Sequence, residues 1–148
     1  METAARELEF LDFKVVEEPW NQYKLEDGST IRAKVVVQNV MREKGEEDSY
    51  SFATSNVIAV VPNPKYIGLP SPPLKQGERL ESYVEAEDLQ IISKTEKWNE
   101  YEIPFVGITM RIKGVPVIIS RTKRHDDKGL PIYIANIQLL IKPIKQRN

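Results

Sequence analysis

Apolar and polar residues alternate at period two along most of the chain, the pattern of β-strands with one buried face. Leu11, Phe13 and Val15 alternate through Leu8–Glu18, which predicts an opening strand ended by Pro19 and Trp20. Tyr23 and Leu25 lead into Glu26-Asp27-Gly28-Ser29, and Asp-Gly between alternating runs is a hairpin signal. Thr30–Arg42 is rich in Val and Ile, which suit a pleated surface. Lys44–Ser49 reads as a charged turn, and Tyr50–Val61 as a strand stopped by Pro62 and Pro64.

The same order follows again. Leu89–Ser93 opens it, and Tyr101–Ile103 leads to a turn at Pro104 and Gly107. Thr109–Arg121 is a second long strand, in which Gly114 and Pro116 predict a bulge, a bend or an edge position. Arg124–Gly129 is a charged turn before a last strand, Pro131–Ile144. Helix is scarce. Met1–Arg6 reads as a short helical turn or a frayed end. Glu78–Leu89 has Leu80, Tyr83 and Val84 at helical spacing and reads as a linking helix or as the start of a strand.

Short motifs recur in order. Trp20-Asn21-Gln22-Tyr23 returns as Trp98-Asn99-Glu100-Tyr101, and the chain has only 2 Trp. Thr30-Ile31-Arg32-Ala33-Lys34 returns as Thr109-Met110-Arg111-Ile112-Lys113, and Arg42-Glu43-Lys44 as Arg121-Thr122-Lys123. Ser55-Asn56-Val57 matches Ala135-Asn136-Ile137, and Glu9-x-Leu11-x-Phe13 matches Glu87-x-Leu89-x-Ile91. These matches predict two duplicated units, residues 8–62 and 86–143. Between them, residues 63–85 form a connector, and Pro62, Pro64, Pro70, Pro72 and Pro73 exclude an interior strand or a helix there. Pro70-x-Pro72-Pro73 also resembles a polyproline ligand of aromatic grooves, but a crossover between the halves is the plainer role. The expected fold is all-β: one domain spanning residues 1–148, a pseudo-two-fold barrel or sandwich of about six to eight strands.

Composition narrows the chemistry. The chain has 148 residues, 41% hydrophobic and 29% charged, enough for a packed core. The absence of Cys removes disulfides, thiol nucleophiles and Cys-based metal sites, and a single His removes His-rich ones. The seven Gly residues are too widely spaced for a dinucleotide fingerprint or a phosphate-binding loop. No cofactor is expected. No apolar run reaches membrane-span length and the first residues lack a signal-peptide core, so a soluble, cytoplasmic protein is expected. Abundant Lys, Glu and Arg without Cys is also compatible with a thermophilic source.

The net charge of −1 hides an asymmetry, because residues 103–148 hold 9 Lys/Arg against 2 Asp/Glu. Such a basic part suits an anionic partner, or attraction to the acidic part within one molecule or between copies. On regular strands Arg32, Lys34, Arg42 and Lys44 share one face, as do Arg111, Lys113, Arg121 and Lys123. Thirteen strand residues span about 43 Å, so the basic ends should project beyond the core. With Arg124, these two clusters are the candidate phosphate-backbone site, and Trp20 and Trp98 are candidate stacking platforms or core caps. The bland alternative is that the cations solvate strand ends and guard edges.

His125-Asp126-Asp127 is the one place where a His adjoins carboxylates, and its predicted loop tip offers no pocket for acid–base work. Glu46-Glu47-Asp48 and Glu85, Glu87 and Asp88 read as solvated acidic turns without calcium-loop spacing. No catalytic or metal residues are assigned. The sequence favours a non-enzymatic binding or assembly module with a protein partner or self-association, acting through β-surfaces and strand edges. Nucleic-acid binding is the first alternative. An enzyme with a carboxylate or metal site between the units is the second.

Overall fold

The computed structural model describes residues 7–45 and 49–145. The readings of Met1–Arg6 and of Glu46-Glu47-Asp48 fall outside those residues. The chain forms strands β1 (Leu8–Leu11), β2 (Lys14–Glu17), β3 (Asn21–Leu25), β4 (Thr30–Glu43), β5 (Tyr50–Val61), β6 (Val84–Ala86), β7 (Ile91–Thr95), β8 (Asn99–Ile103), β9 (Ile108–His125) and β10 (Pro131–Lys145). Among the described residues helix is limited to short 3₁₀ turns at Pro64–Tyr66, Leu80–Tyr83 and Pro104–Val106. None is long and apolar enough to cross a membrane.

All strands pair antiparallel, in two five-stranded sheets. In the first, β4 is central. β5 runs along one side of it, while β3 and β1 divide the other side and β7 lies beyond β3. In the second, β9 is central. β10 runs along one side, β8 and β6 divide the other, and β2 lies beyond β8. Each sheet therefore takes a strand from the opposite half of the chain. The stretch expected as one opening strand breaks at Asp12-Phe13, with β1 in the first sheet and β2 in the second. The equivalent break after Ala86 puts β6 in the second sheet and β7 in the first. These breaks raise the strand count above the six to eight expected. Among the described residues neither sheet closes on itself.

Of the two readings of Glu78–Leu89, the helix does not form and a short strand, Val84–Ala86, does. Arg79 supplies no side-chain cap, one 3₁₀ turn forms, and Val84 and Ala86 then pair with β9. A capped helix would have to give up those ladder bonds.

Both long strands carry a bulge. Against β5, β4 has one extra residue, Gln38, and the buried residues change from Val35 and Val37 to Val40. Against β10, β9 has one extra residue, Val117, beside Pro116, and burial changes from Met110 and Ile112 to Ile119 and Arg121. A single inserted residue turns the rest of a strand over. The expected shared faces are therefore corrected: Arg42 lies on the opposite face of β4 from Arg32 and Lys34, and Arg121 on the opposite face of β9 from Arg111 and Lys113.

The buried core has two clusters, and each draws on both sheets. Leu11, Val35, Val37 and Val40 pack with Tyr101, Ile103, Ile108, Met110 and Ile112. Tyr23, Leu25, Ile31 and Ala33 pack with Leu89 and Ile119. β9 comes close to β4 at Gly114, where an added Cβ would fall 2.7 Å from Val35 Cγ2 and 2.9 Å from Ile137 Cγ2. Both distances are below carbon–carbon contact, so only glycine fits that crossing without movement.

The connector is tied down rather than free. The Gly68 N–H donates to the Gly129 carbonyl at 3.0 Å and the Ser71 N–H to the His125 carbonyl at 3.1 Å. The Arg124 guanidinium donates to the Pro72 carbonyl. Residues 68–72 thus lie across the β9–β10 turn, as a crossover would.

Candidate functional site

The nine cations singled out in the sequence do not converge on one surface. Arg32 and Lys34 lie over the Trp20 ring, at 4.9 and 6.0 Å from its centroid. Lys113 lies 4.8 Å over Trp98, and neither Trp belongs to the buried core. Arg111 pairs with Glu100 at 3.2 Å, Arg42 with Glu9 at 2.7 Å and Lys44 with Glu7 at 3.0 Å. Arg124 packs on Tyr83, and Lys123 is exposed beside a cavity. Among the described residues, the one buried side-chain polar atom without a partner is Arg32 Nε.

Arg121 was expected at a solvated strand end and is instead buried. The bulge at Val117 turns it inward, and the connector covers it. Its Nη1 pairs with Asp27 at 2.7 Å, its Nε with Glu85 at 3.1 Å, and its guanidinium lies 3.7 Å from the Tyr66 ring centroid. Tyr133 donates to Asp27 at 2.7 Å, and the Ser29 N–H donates to the other Asp27 oxygen at 2.9 Å. Burial works against charge on Asp27, but the bonds from Tyr133, Ser29 and Arg121 outweigh it and hold the carboxyl below its ordinary range. Both Asp27 oxygens are bonded, while Glu85 is partly exposed, and the cluster joins the β3–β4 turn to β9.

Two further polar contacts tie the halves together, and they involve residues that the motif reading passed over. The Tyr101 hydroxyl donates to Glu18 at 2.6 Å, and Glu18 also accepts the Val37 N–H. The Tyr23 hydroxyl donates to Glu96 at 3.0 Å. Burial first, and then these carboxylates, push both hydroxyls far above the usual phenol range. The signal was present: Glu18 and Glu96 each stand two residues before a Trp, so the repeated motif is Glu-x-Trp-Asn-x-Tyr.

Open cavities lie among the described residues. One, of about 370 Å³, is lined by Lys65, Tyr66, Glu85, Thr122, Lys123 and His125. His125 is therefore not the exposed loop tip expected. It ends β9 half-buried, with Nε2 on the Tyr66 carbonyl at 2.8 Å. Asp126 builds the turn by accepting the N–H groups of Lys128 and Leu130. Another, of about 300 Å³, is lined by Glu81, Glu87 and Asp88 with Val84, Ile118 and Ile134. Among the described residues no group of three or more His, Asp and Glu side chains is placed to hold a metal ion.

The strand edges differ from these satisfied clusters. Among the described residues β5 pairs only with β4, and β10 only with β9. Tyr50–Val61 contains no charged residue, no Pro and no Gly. Ile58 stands opposite buried Ala33, and Ile141 opposite buried Ile112, so register puts both on core-facing sides. Yet they are 38% and 47% exposed. The two edges overhang the core and leave inward-directed apolar side chains uncovered. The chain gives no match to any family model, curated protein or solved structure compared with it.

Proposed function

We propose that the chain is a non-enzymatic binding or assembly module, built from two copies of one β-unit, that takes a partner by adding a strand to the open sheet edges. The observation that carries this reading is the pair of uncovered, core-facing residues Ile58 and Ile141 on long edge strands. An unpaired edge presents a row of N–H and C=O groups, and apolar side chains beside it add area to any strand that docks. The duplication is supported by the matching connectivity of the two sheets and by bulges at matching places, Gln38 and Val117. The test is a titration of isotope-labelled protein with short extended peptides of alternating Val and Thr. Amide shifts confined to β5 and β10 support strand addition, and shifts absent from both edges overturn it.

A second reading, binding of phosphate backbone, rests on the unpartnered Arg32 Nε beside Lys34 and Trp20 and on the matching Lys113–Trp98 pair. It predicts affinity for single-stranded nucleic acid that falls steeply with salt and weakens in Lys34→Ala with Lys113→Ala. Absence of binding at low salt overturns it.

A further inference from the structure

Resting on the strand-addition reading, we infer that the occupant of the β5 edge is a second copy of this chain, its β5 antiparallel to the first about a two-fold axis at Ser55. The two edges are not equally open. β10 carries Lys142 and Pro143 in its last third, and a charge and a residue without an N–H are both devices that block pairing. β5 has no such device along its 12 residues.

An identical strand laid antiparallel makes an isologous contact, which closes after two copies. Because side chains alternate, residues paired across such an axis must lie on the same face, which fixes the register to an axis passing through a residue. The even-numbered residues of β5 oppose buried Val40, Val37, Val35, Ala33 and Ile31 and so face inward. An axis at Ser55 sets Phe52 of one copy opposite Ile58 of the other, on the inner face. The uncovered Ile58 then gains the large apolar neighbour it lacks. On the outer face Ala53 meets Val57, and Ser55 meets its own copy.

Charge does not oppose the contact. The nearest cations by register are Lys34 and Arg32, opposite Val57 and Ala59, one strand back from the edge. Across the pair, β4 and its copy are three strand spacings apart, about 14 Å. That exceeds the screening length of about 8 Å at physiological salt.

The axis residue supplies the test. The protein has no Cys, so Ser55→Cys carries a single thiol. Directly opposed residues in an antiparallel pair lie about 4.5–5.5 Å apart at Cα, within disulfide reach. Mild oxidation of Ser55→Cys should give a covalent dimer many-fold faster than Gln138→Cys on β10. Sedimentation equilibrium should show a concentration-dependent dimer that Ser55→Lys, which opposes two ammonium groups, converts to monomer. Monomer at all concentrations, assembly beyond a dimer, or faster cross-linking through Gln138→Cys each overturns the inference. A labelled peptide of residues 50–61 with two added N-terminal lysines separates the two levels of failure. If the wild type is monomeric but the peptide still shifts β5 amides, self-pairing fails and strand addition stands; if the peptide shifts none, both fail.

Discussion

Arg42 and Arg121 hold matching places near the ends of the two central strands, yet their surroundings differ. Each turns inward beyond a bulge, and each reaches the hairpin turn of the opposite sheet. Arg121 meets Asp27 in the β3–β4 turn, whereas Arg42 meets the Phe105 ring in the β8–β9 turn, 5.5 Å away. The connector occurs once in the chain, and it lays Tyr66 over Arg121 alone. One end of the molecule is therefore sealed by a buried ionic cluster, while the other is held by a partly exposed pair. The same contrast separates the edges: β10 is guarded and β5 is bare. Two similar frameworks become structurally unequal through their turns, one connector and a few edge residues.

The largest expected effect breaks this contrast at the arginines. Arg121→Ala strands the buried carboxylate of Asp27 and should cost about 3 kcal/mol, the low end for a broken buried pair because Glu85 is partly solvated. Arg42→Ala, whose partner Glu9 is more exposed, should cost clearly less in the same urea titration. Equal losses would remove the distinction between a sealed and an open end.

Next is the crossing of β4 and β9. By the repeat, Gly114 matches Val35, and the two meet where both cannot carry side chains. Gly114→Ala should cost about 1–3 kcal/mol through overpacking. The cost should shrink in a Val35→Ala background, and a double-mutant cycle without coupling would contradict the contact.

A smaller effect compares the two Tyr–Glu pairs. Glu18→Gln weakens one bond to Tyr101 and leaves a backbone N–H acceptor in place, at about 1 kcal/mol. Glu96→Gln on Tyr23 should cost more, because it also breaks the Lys94–Glu96 ion pair at 2.9 Å where Glu18 accepts only a backbone N–H. The smallest effect is read in pH. Asp27 has a depressed folded value, so its contribution is present above the unfolded value of about 3.9 and is lost as pH falls through the folded one. Asp27→Asn should flatten the acid limb of a stability–pH profile relative to the wild type.

Much of this was legible in the chain. The alternation marks the long strands within a few residues, and Tyr50–Val61 matches β5 at both ends. The sheet switch at Asp12-Phe13 was not legible, because Leu11 and Phe13 keep period two whichever sheet their backbone joins. Pro116 announced the bulge at Val117, but no Gly or Pro marks Gln38, so the turn-over of Arg42 was hidden. The cations were visible by type. Their partners Glu9, Glu85 and Asp27 were not, because each lies more than thirty residues away in the chain.

The difference between the two edges governs how the protein assembles under the proposed strand addition. Hydrogen exchange of the backbone amides, followed at low and high protein concentration, reads it directly. The prediction is that alternate β5 amides, those facing away from β4, gain protection as concentration rises, while the outward amides of β10 do not. Protection unchanged with concentration, or gained on β10 rather than β5, contradicts it.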